Sequence, residues 1–321
     1  MRLVTVDVAV VDAKGNFLAD LQPQSFRLQE DGVAQEIAHF APTQAPVRIL
    51  LLVEASPVVF LIRGEHLAAA HYLLGHLRAE DEAALASYSR SLQPQADFTR
   101  DKDLVHRQLL RLTQFGLEMA EVNLLDAVAS TLDHLSPPPQ RTAVLIIGTG
   151  LDSSSRVRWE ELEQRIGASQ VTFFAIATGR LLLGKPGKDP KGVEATFAEA
   201  DARLRALAEA SAGQAYFPES FQELDRIYRE IAERLRHVYS LGYYPSNKAR
   251  DARYRAISVD LVGESGAPLE RRDARGRAFR PRVFARPGYF APKDIVLKPL
   301  VTYPERGGPS QATARERHRG A

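Results

Sequence analysis

Residues 47–53 read Val-Arg-Ile-Leu-Leu-Leu-Val, an apolar run with one charged residue and no polar alternation. A strand with one wet face alternates, whereas a strand buried on both faces does not. The run therefore predicts a central strand of a parallel sheet with helices packed on both sides. Parallel neighbours need crossovers of a dozen or more residues, and the chain supplies them. A segment of helical period at 63–78 places Leu67, Ala70, Leu74 and Leu77 on one face and leads to a strand at 83–88. An edge strand at 93–98 and helices at 101–112 and 123–135 follow, the second ended by Pro137-Pro138-Pro139. Strands at 142–147 and 171–177 flank a helix at 157–166. Helices at 197–211 and 221–237 surround a short strand at 214–217. The whole reads as an open, doubly wound, mostly parallel α/β sheet.

The flanks have a different character. Residues 3–11 alternate, with Val4, Val6, Val8 and Val10 on one face, and run into a hairpin-type turn at Asp12-Ala13-Lys14-Gly15-Asn16. Strands at 25–30 and 34–40 are joined by Glu30-Asp31-Gly32, and Pro42 to Pro46 punctuates their end. β character returns at 238–244, 254–262 and 282–290. Isolated hairpins are marginal alone, so the two ends are expected to pair into one β-sandwich-like unit with the α/β domain inserted in it. The expected division is an N-terminal β segment at 1–42, the α/β domain at 43–236, a C-terminal β segment at 237–292 pairing with the first, and a disordered tail at 293–321. Residues 180–194, rich in Gly, Lys and Pro, are expected to form a mobile loop.

Composition narrows the chemistry. The 321 residues are 45% hydrophobic and 26% charged, ordinary for a globular protein. With no cysteine, disulfide frameworks, Cys-based zinc sites and thiol nucleophiles are excluded. A net charge of +2 favours neither nucleic acid nor an anionic membrane as partner. No apolar run approaches the roughly 20 residues of a membrane span. The opening Met-Arg-Leu-Val-Thr-Val-Asp is already strand-like and contains no secretory signal, so the chain taken as it stands is expected in the cytoplasm. Residues 263–292 hold seven Arg against three acidic residues, read as a solvated hairpin because no nucleic-acid motif accompanies them.

Candidate motifs mostly reduce to structure. Gly148-Thr149-Gly150 follows a strand but lacks the third glycine of a dinucleotide loop, and reads as a turn. There is no Gly-x-x-x-x-Gly-Lys-Ser/Thr and no Gly-x-Ser-x-Gly elbow. His66, His71 and His76 recur every five residues, a spacing that does not bring them to one helical face; they are read as surface or satisfied histidines. Ser153-Ser154-Ser155 is expected to cap the following helix. Tyr239, Tyr243, Tyr244, Tyr289 and Phe290 either form an aromatic ligand surface or, the commoner arrangement, pack across strands. An enzyme, such as a hydrolase, has no catalytic constellation behind it.

Several segments in order resemble the bacterial von Willebrand factor A-related proteins. Asp12-Ala13-Lys14-Gly15, Leu21 through Phe26, Glu30-Asp31-Gly32 and Gln35-Glu36-Ile37 are similar to the family's leading β region. Residues 47–236 are similar to its A-type domain. Tyr239-Ser240-Leu241-Gly242-Tyr243-Tyr244-Pro245 and Arg286-Pro287-Gly288-Tyr289-Phe290-Ala291-Pro292 are similar to its closing strands. The resemblance implies a protein-interaction or assembly module, and an exported or periplasmic location. It also implies an adhesion site in which Asp-x-Ser-x-Ser, a loop Thr and a later Asp hold magnesium. Here that motif falls on Glu54-Ala55-Ser56-Pro57-Val58, the loop Thr on Val122, and the later Asp on Thr149, with Asp152 three residues beyond. Too few oxygens remain for a hard cation, so the resemblance implies a degenerate, metal-independent site that binds an unidentified protein partner. The alternative is a metal-dependent adhesion domain using Glu54, Ser56 and Asp152.

Overall fold

The computed structural model describes residues 3–112, 121–135, 142–169, 171–183, 193–220 and 222–291. Strand β1 (Val4–Val11) ends in the expected turn. There the Asp12 carboxylate accepts from the backbone N–H groups of Lys14 (2.7 Å) and Asn16 (2.9 Å), and Gly15 takes a φ of 88°. Strands β2 (Phe26–Glu30) and β3 (Val33–Gln35) form a tight hairpin with Asp31 and Gly32 both at positive φ, the requirement of a two-residue turn between right-twisted strands. β4 (Ile37–Gln44) leads into the α/β body. That body runs β5 (Arg48–Glu54), α1 (Arg63–His76), β6 (Glu82–Tyr88), β7 (Leu92–Thr99), α2 (Lys102–Arg111), α3 (Leu124–His134), β8 (Thr142–Gly148), α4 (Trp159–Ala168), β9 (Val171–Ala177), α5 (Gly179–Leu183), α6 (Val193–Glu209), β10 (Ala215–Tyr216) and α7 (Gln222–Arg236). The chain returns through β11 (His237–Tyr243), β12 (Tyr254–Leu261), β13 (Arg271–Arg272), β14 (Ala278–Phe279), β15 (Arg282–Ala285) and β16 (Gly288–Phe290).

The central sheet has the order β10-β9-β8-β5-β6-β7, with every pair parallel except the edge pair β6 and β7. Its apolar runs do not alternate because both faces are covered. Ile49, Leu51 and Val53 face a layer with Leu67 and Leu73 of α1 and Ile227 and Ile231 of α7. Leu50 and Leu52 face the other layer, with Val128 of α3, Leu162 of α4 and Leu204 of α6. The two chain ends form a sandwich of antiparallel sheets, β15-β1-β11-β4 and β16-β12-β2-β3, closed over Val6, Val8, Val10, Leu28, Tyr239 and Leu241. The aromatics pack as cross-strand neighbours. Tyr239 stacks on Phe17 and Phe40, Tyr254 meets Phe290 edge-on, and the Tyr243 and Tyr289 hydroxyls both donate to Glu30, while Tyr244 is half exposed.

Several boundaries differ from the sequence reading. β4 continues through Pro42 to Gln44 instead of stopping at Pro42. It is an edge strand, where a residue without an N–H is tolerated. The stretch 282–290 splits at Arg286-Pro287, because Pro287 cannot donate to a ladder and the chain there crosses from the β1 sheet to the β12 sheet. Residues 180–183 and 193–194, expected within a loop, are helical in α5 and α6, and the Arg180 Nε–Asp201 Oδ2 pair (2.6 Å) ties the two helices. The rest of that segment, 184–192, and the tail expected to be disordered lie outside the described residues.

Asp81, just ahead of β6, is fully buried where the two units join. Its Oδ1 accepts from Val47 N–H (2.7 Å), and its Oδ2 accepts from Arg78 N–H (2.7 Å) and the Arg236 guanidinium (2.7 Å). Val47 lies where the chain enters the α/β body and Arg236 where it leaves, so one carboxylate ties both crossings. Nearby, Arg282 pairs with Glu230 of α7 at 3.0 Å.

Candidate functional site

Ligands of doubly wound sheets bind outside the carboxyl ends of the strands, where the winding reverses. In this sheet the reversal lies between β5 and β8, which are neighbours although β6 and β7 intervene in sequence. Glu54 is the last residue of β5, Thr149 follows β8, and Tyr88, the last residue of β6, pairs in register with Glu54.

The Glu54 side chain is buried at 1% exposure and turned inward. Its Oε1 accepts from the Ser56 hydroxyl at 2.5 Å; its Oε2 accepts from Thr149 N–H at 2.6 Å and from the Thr149 hydroxyl at 2.8 Å. Gly148 makes this approach feasible, since a Cβ there would lie 2.4 Å from the Tyr88 hydroxyl and 2.9 Å from Glu54 Oε2. Gly150, at a φ of 80°, turns the chain back, so Gly148-Thr149-Gly150 is the turn its sequence indicated. Burial is the largest influence on the Glu54 carboxyl and raises its pKa above 4.5; the bonds from Ser56 and Thr149 oppose that rise without cancelling it. The buried Tyr88 hydroxyl lies beside the same carboxyl and interacts with it. Burial, then the charges of Glu54 and Asp152, push its pKa well up.

Val122 and Asp152 belong to a second network on the same edge. Asn123, at the N-cap of α3, makes no side-chain cap bond. The open helix N–H groups are met instead from the loop after β8: Leu125 N–H donates to Asp152 Oδ1 (3.1 Å) and Asp126 N–H to Ser155 Oγ (3.1 Å). Ser153 Oγ accepts from Val122 N–H (3.1 Å), and Ser154 donates to Asn123 Oδ1 (3.1 Å). The serine run therefore caps α3, not the following helix α4, whose N-cap is Arg158. The loops after β6 and β8 and the start of α3 are thus cross-linked, with Asn123 Nδ2 also donating to the Arg90 carbonyl.

The structure brings Glu54, Ser56 and Thr149 together and holds Val122 and Asp152 beside α3. Val58 is half-buried in a 3-10 turn. His71 meets His106 with tilted rings 4.4 Å apart and His76 faces Asp225 at 3.1 Å, so those two do not converge. Sequence reasoning missed Tyr88, which the parallel register of β5 and β6 would have placed beside Glu54. It also missed Arg203, whose guanidinium pins the turn at the Gly150 carbonyl (2.7 Å), and no spacing signals that contact.

The resemblance implies magnesium, and the residues do not fit it. Both Glu54 oxygens already accept hydrogen bonds, Ser56 and Thr149 point their protons at Glu54, Val58 and Val122 offer no oxygen, and Asp152 Oδ1 is engaged by Leu125 and Ser155. Among the described residues no three of His, Cys, Asp and Glu gather as ligands. A hard cation, even with water completing its shell, would have to displace these internal bonds.

No protein-family model matches the chain, and no curated protein matches it. Among solved structures it is similar to the conserved hypothetical protein BatB from Bacteroides thetaiotaomicron, at 15% identity and a TM-score of 0.42, over 58% of this chain and 98% of that one. It is similar to a von Willebrand factor type A protein from Catenulispora acidiphila at 11% identity and a TM-score of 0.43, over 88% of this chain and 72% of that one. The SpRpn10 VWA domain matches at 13% identity and a TM-score of 0.37, over 56% and 93%. With its reversal between β5 and β8 and its antiparallel edge strand β7, the α/β body is a doubly wound, mostly parallel sheet set in a β-sandwich-like unit.

Proposed function

We propose that the protein is a non-enzymatic interaction or assembly module that engages a protein partner without a metal ion. The observation behind this reading is the Glu54 carboxylate, buried and already accepting three hydrogen bonds from Ser56 and Thr149. A metal-dependent adhesion site presents an open coordination position to a partner's carboxylate; this cluster is satisfied from within. The partner is then recognised by the shape and hydrogen-bonding groups of the cross-linked loops at that edge.

The Ser56–Glu54 pair also has the outline of a nucleophile with its base. Ser56 is 5% exposed, which keeps a substrate carbonyl from reaching its Oγ. A carboxylate is also a weak base for a serine hydroxyl, and activation ordinarily draws on histidine or lysine. The pair is better read as a structural bond that fixes the loop after β5 to a carboxylate which also holds the turn after β8.

Calorimetric titration of the full chain with magnesium and manganese tests the metal-free reading. The expected result is no saturable heat. Sub-millimolar binding that Ser56→Ala abolishes would replace this reading with a metal-dependent adhesion domain built on Glu54 and Ser56.

A further inference from the structure

We propose that a cleft on the opposite edge of the sheet, between the α/β body and the β unit, is a binding site for a small organic anion with an apolar body. The cleft encloses about 840 Å3, within the range of ~300–1,000 Å3 typical of small-molecule sites, which favour the seams between structural units. Its floor is the amino edge of the sheet, where Arg48, Thr142 and Val171 begin β5, β8 and β9. Its other wall follows from the alternation of β1. Val6, Val8 and Val10 fill the sandwich, and Thr5, Asp7 and Ala9 therefore face the cleft.

The charge of the lining selects the ligand. Arg48, Arg234, Lys248, Arg250 and Arg286 line it, and Asp7 is the one carboxylate among the described lining residues. Phe174, Phe284, Tyr289 and Phe290 supply an aromatic wall. Two of the arginines are held rigidly. Arg234 is buried, donates to Gln214 Oε1 (3.0 Å) and the Ala212 carbonyl (3.0 Å), and lies 3.4 Å over the Phe284 ring. Arg48 pairs with Glu82 at 2.8 Å. Each nevertheless keeps a buried Nε with no acceptor among the described residues. Arg286, anchored to the Ser169 carbonyl at 2.5 Å, is partly desolvated, and that burial lowers its pKa. Preorganised, partly desolvated guanidinium groups bind carboxylate or phosphate more strongly than solvated ones.

The chain's own continuation is a poor occupant on charge. Beyond Ala291, residues 292–321 carry six Lys and Arg (Lys293, Lys298, Arg306, Arg315, Arg317, Arg319) against Asp294, Glu305 and Glu316. A segment of net positive charge is repelled by a cationic lining.

The test is calorimetric titration of the full chain with phenyl phosphate, benzoate, inorganic phosphate and benzyl alcohol. Phenyl phosphate or benzoate is expected to bind at least about tenfold more tightly than inorganic phosphate or benzyl alcohol, since only the first two combine charge with an apolar body. Lys248→Glu lies on the exposed rim and is expected to weaken binding about fivefold while leaving the melting temperature unchanged. Arg286→Leu is expected to weaken it about tenfold or more, and Ser56→Ala at the far edge not at all. Equal binding of benzyl alcohol, or an affinity unchanged in both Lys248→Glu and Arg286→Leu, would overturn the proposal.

Discussion

Two buried carboxylates sit at opposite edges of the central sheet, and each accepts several hydrogen bonds. Asp81, at the amino edge, takes them from Val47, Arg78 and Arg236, three distant parts of the chain, and one donor is a guanidinium. Glu54, at the carboxyl edge, accepts from Ser56 and Thr149, whose donors are neutral. The donors differ, and so does the consequence. A carboxylate matched to a cation and to two chain crossings holds one structural unit to another. At Glu54 burial outweighs the bonds from its neutral donors, so its pKa rises. The edge where ligands of such sheets normally bind is in this chain closed on itself, and the cationic cleft proposed above lies at the joint.

Removing each carboxylate separates these roles. Asp81→Ala leaves the Arg236 charge buried without its partner and two backbone N–H groups without an acceptor. Breaking a buried pair by deleting one partner costs about 3–5 kcal/mol. A loss of about 4 kcal/mol is expected in guanidinium unfolding of the full chain, felt in both units because the crossings pass through this residue. A loss below about 1 kcal/mol, the scale of a surface pair, would show that Asp81 does not join them.

Glu54→Ala is expected to cost less, about 3 kcal/mol, because the deserted groups are one N–H and two hydroxyls that can partly re-pair. The expected damage is local: faster amide exchange at Thr149 and Leu151, with the sandwich strands unchanged. If exchange instead rises equally across β1 and β11, the carboxyl edge is not the self-contained cluster described above.

How much of this was legible in the sequence depended on the scale of the signal. The apolar run of β5 declared a strand buried on both faces, and the alternation of Val4, Val6, Val8 and Val10 declared a sandwich strand, because burial imposes those periods directly. The positions of Glu54 and Thr149 at the ends of strands were legible for the same reason. That Glu54 turns inward was not, because it depends on Gly148 leaving room for the carboxylate and on Thr149 presenting two donors at once. The Ser153–Ser155 run carried a capping signal but not the identity of the helix capped, since Ser153 and Ser155 reach across to α3 from a loop about thirty positions later in sequence. Pro42 and Pro287 have the same local chemistry; one sits within an edge strand and the other breaks a strand in two, a difference set by tertiary neighbours.

The smallest expected effect tests the electrostatic half of the comparison. In Glu54→Gln the amide oxygen still accepts from Thr149, and the amide NH2 donates to Ser56 once that hydroxyl rotates to accept, so shape and bonding are kept and only the titration is lost. The folded-state pKa of Glu54 is raised above the unfolded value near 4.5. Its stabilising contribution is therefore complete below pH 4.5 and is lost as pH rises through the folded value, because the unfolded chain ionises there more readily than the folded one. Gln has no such proton. The stability of Glu54→Gln relative to the unaltered protein is expected to increase from pH 4.5 upward and level off once the folded carboxyl has ionised. Taking the difference between the two proteins cancels the carboxylates they share. Paired urea unfolding curves across that range measure it. A difference independent of pH, or one that shrinks as pH rises, would mean that the neutral donors of Ser56 and Thr149 outweigh desolvation, and the contrast with Asp81 would lose its electrostatic basis.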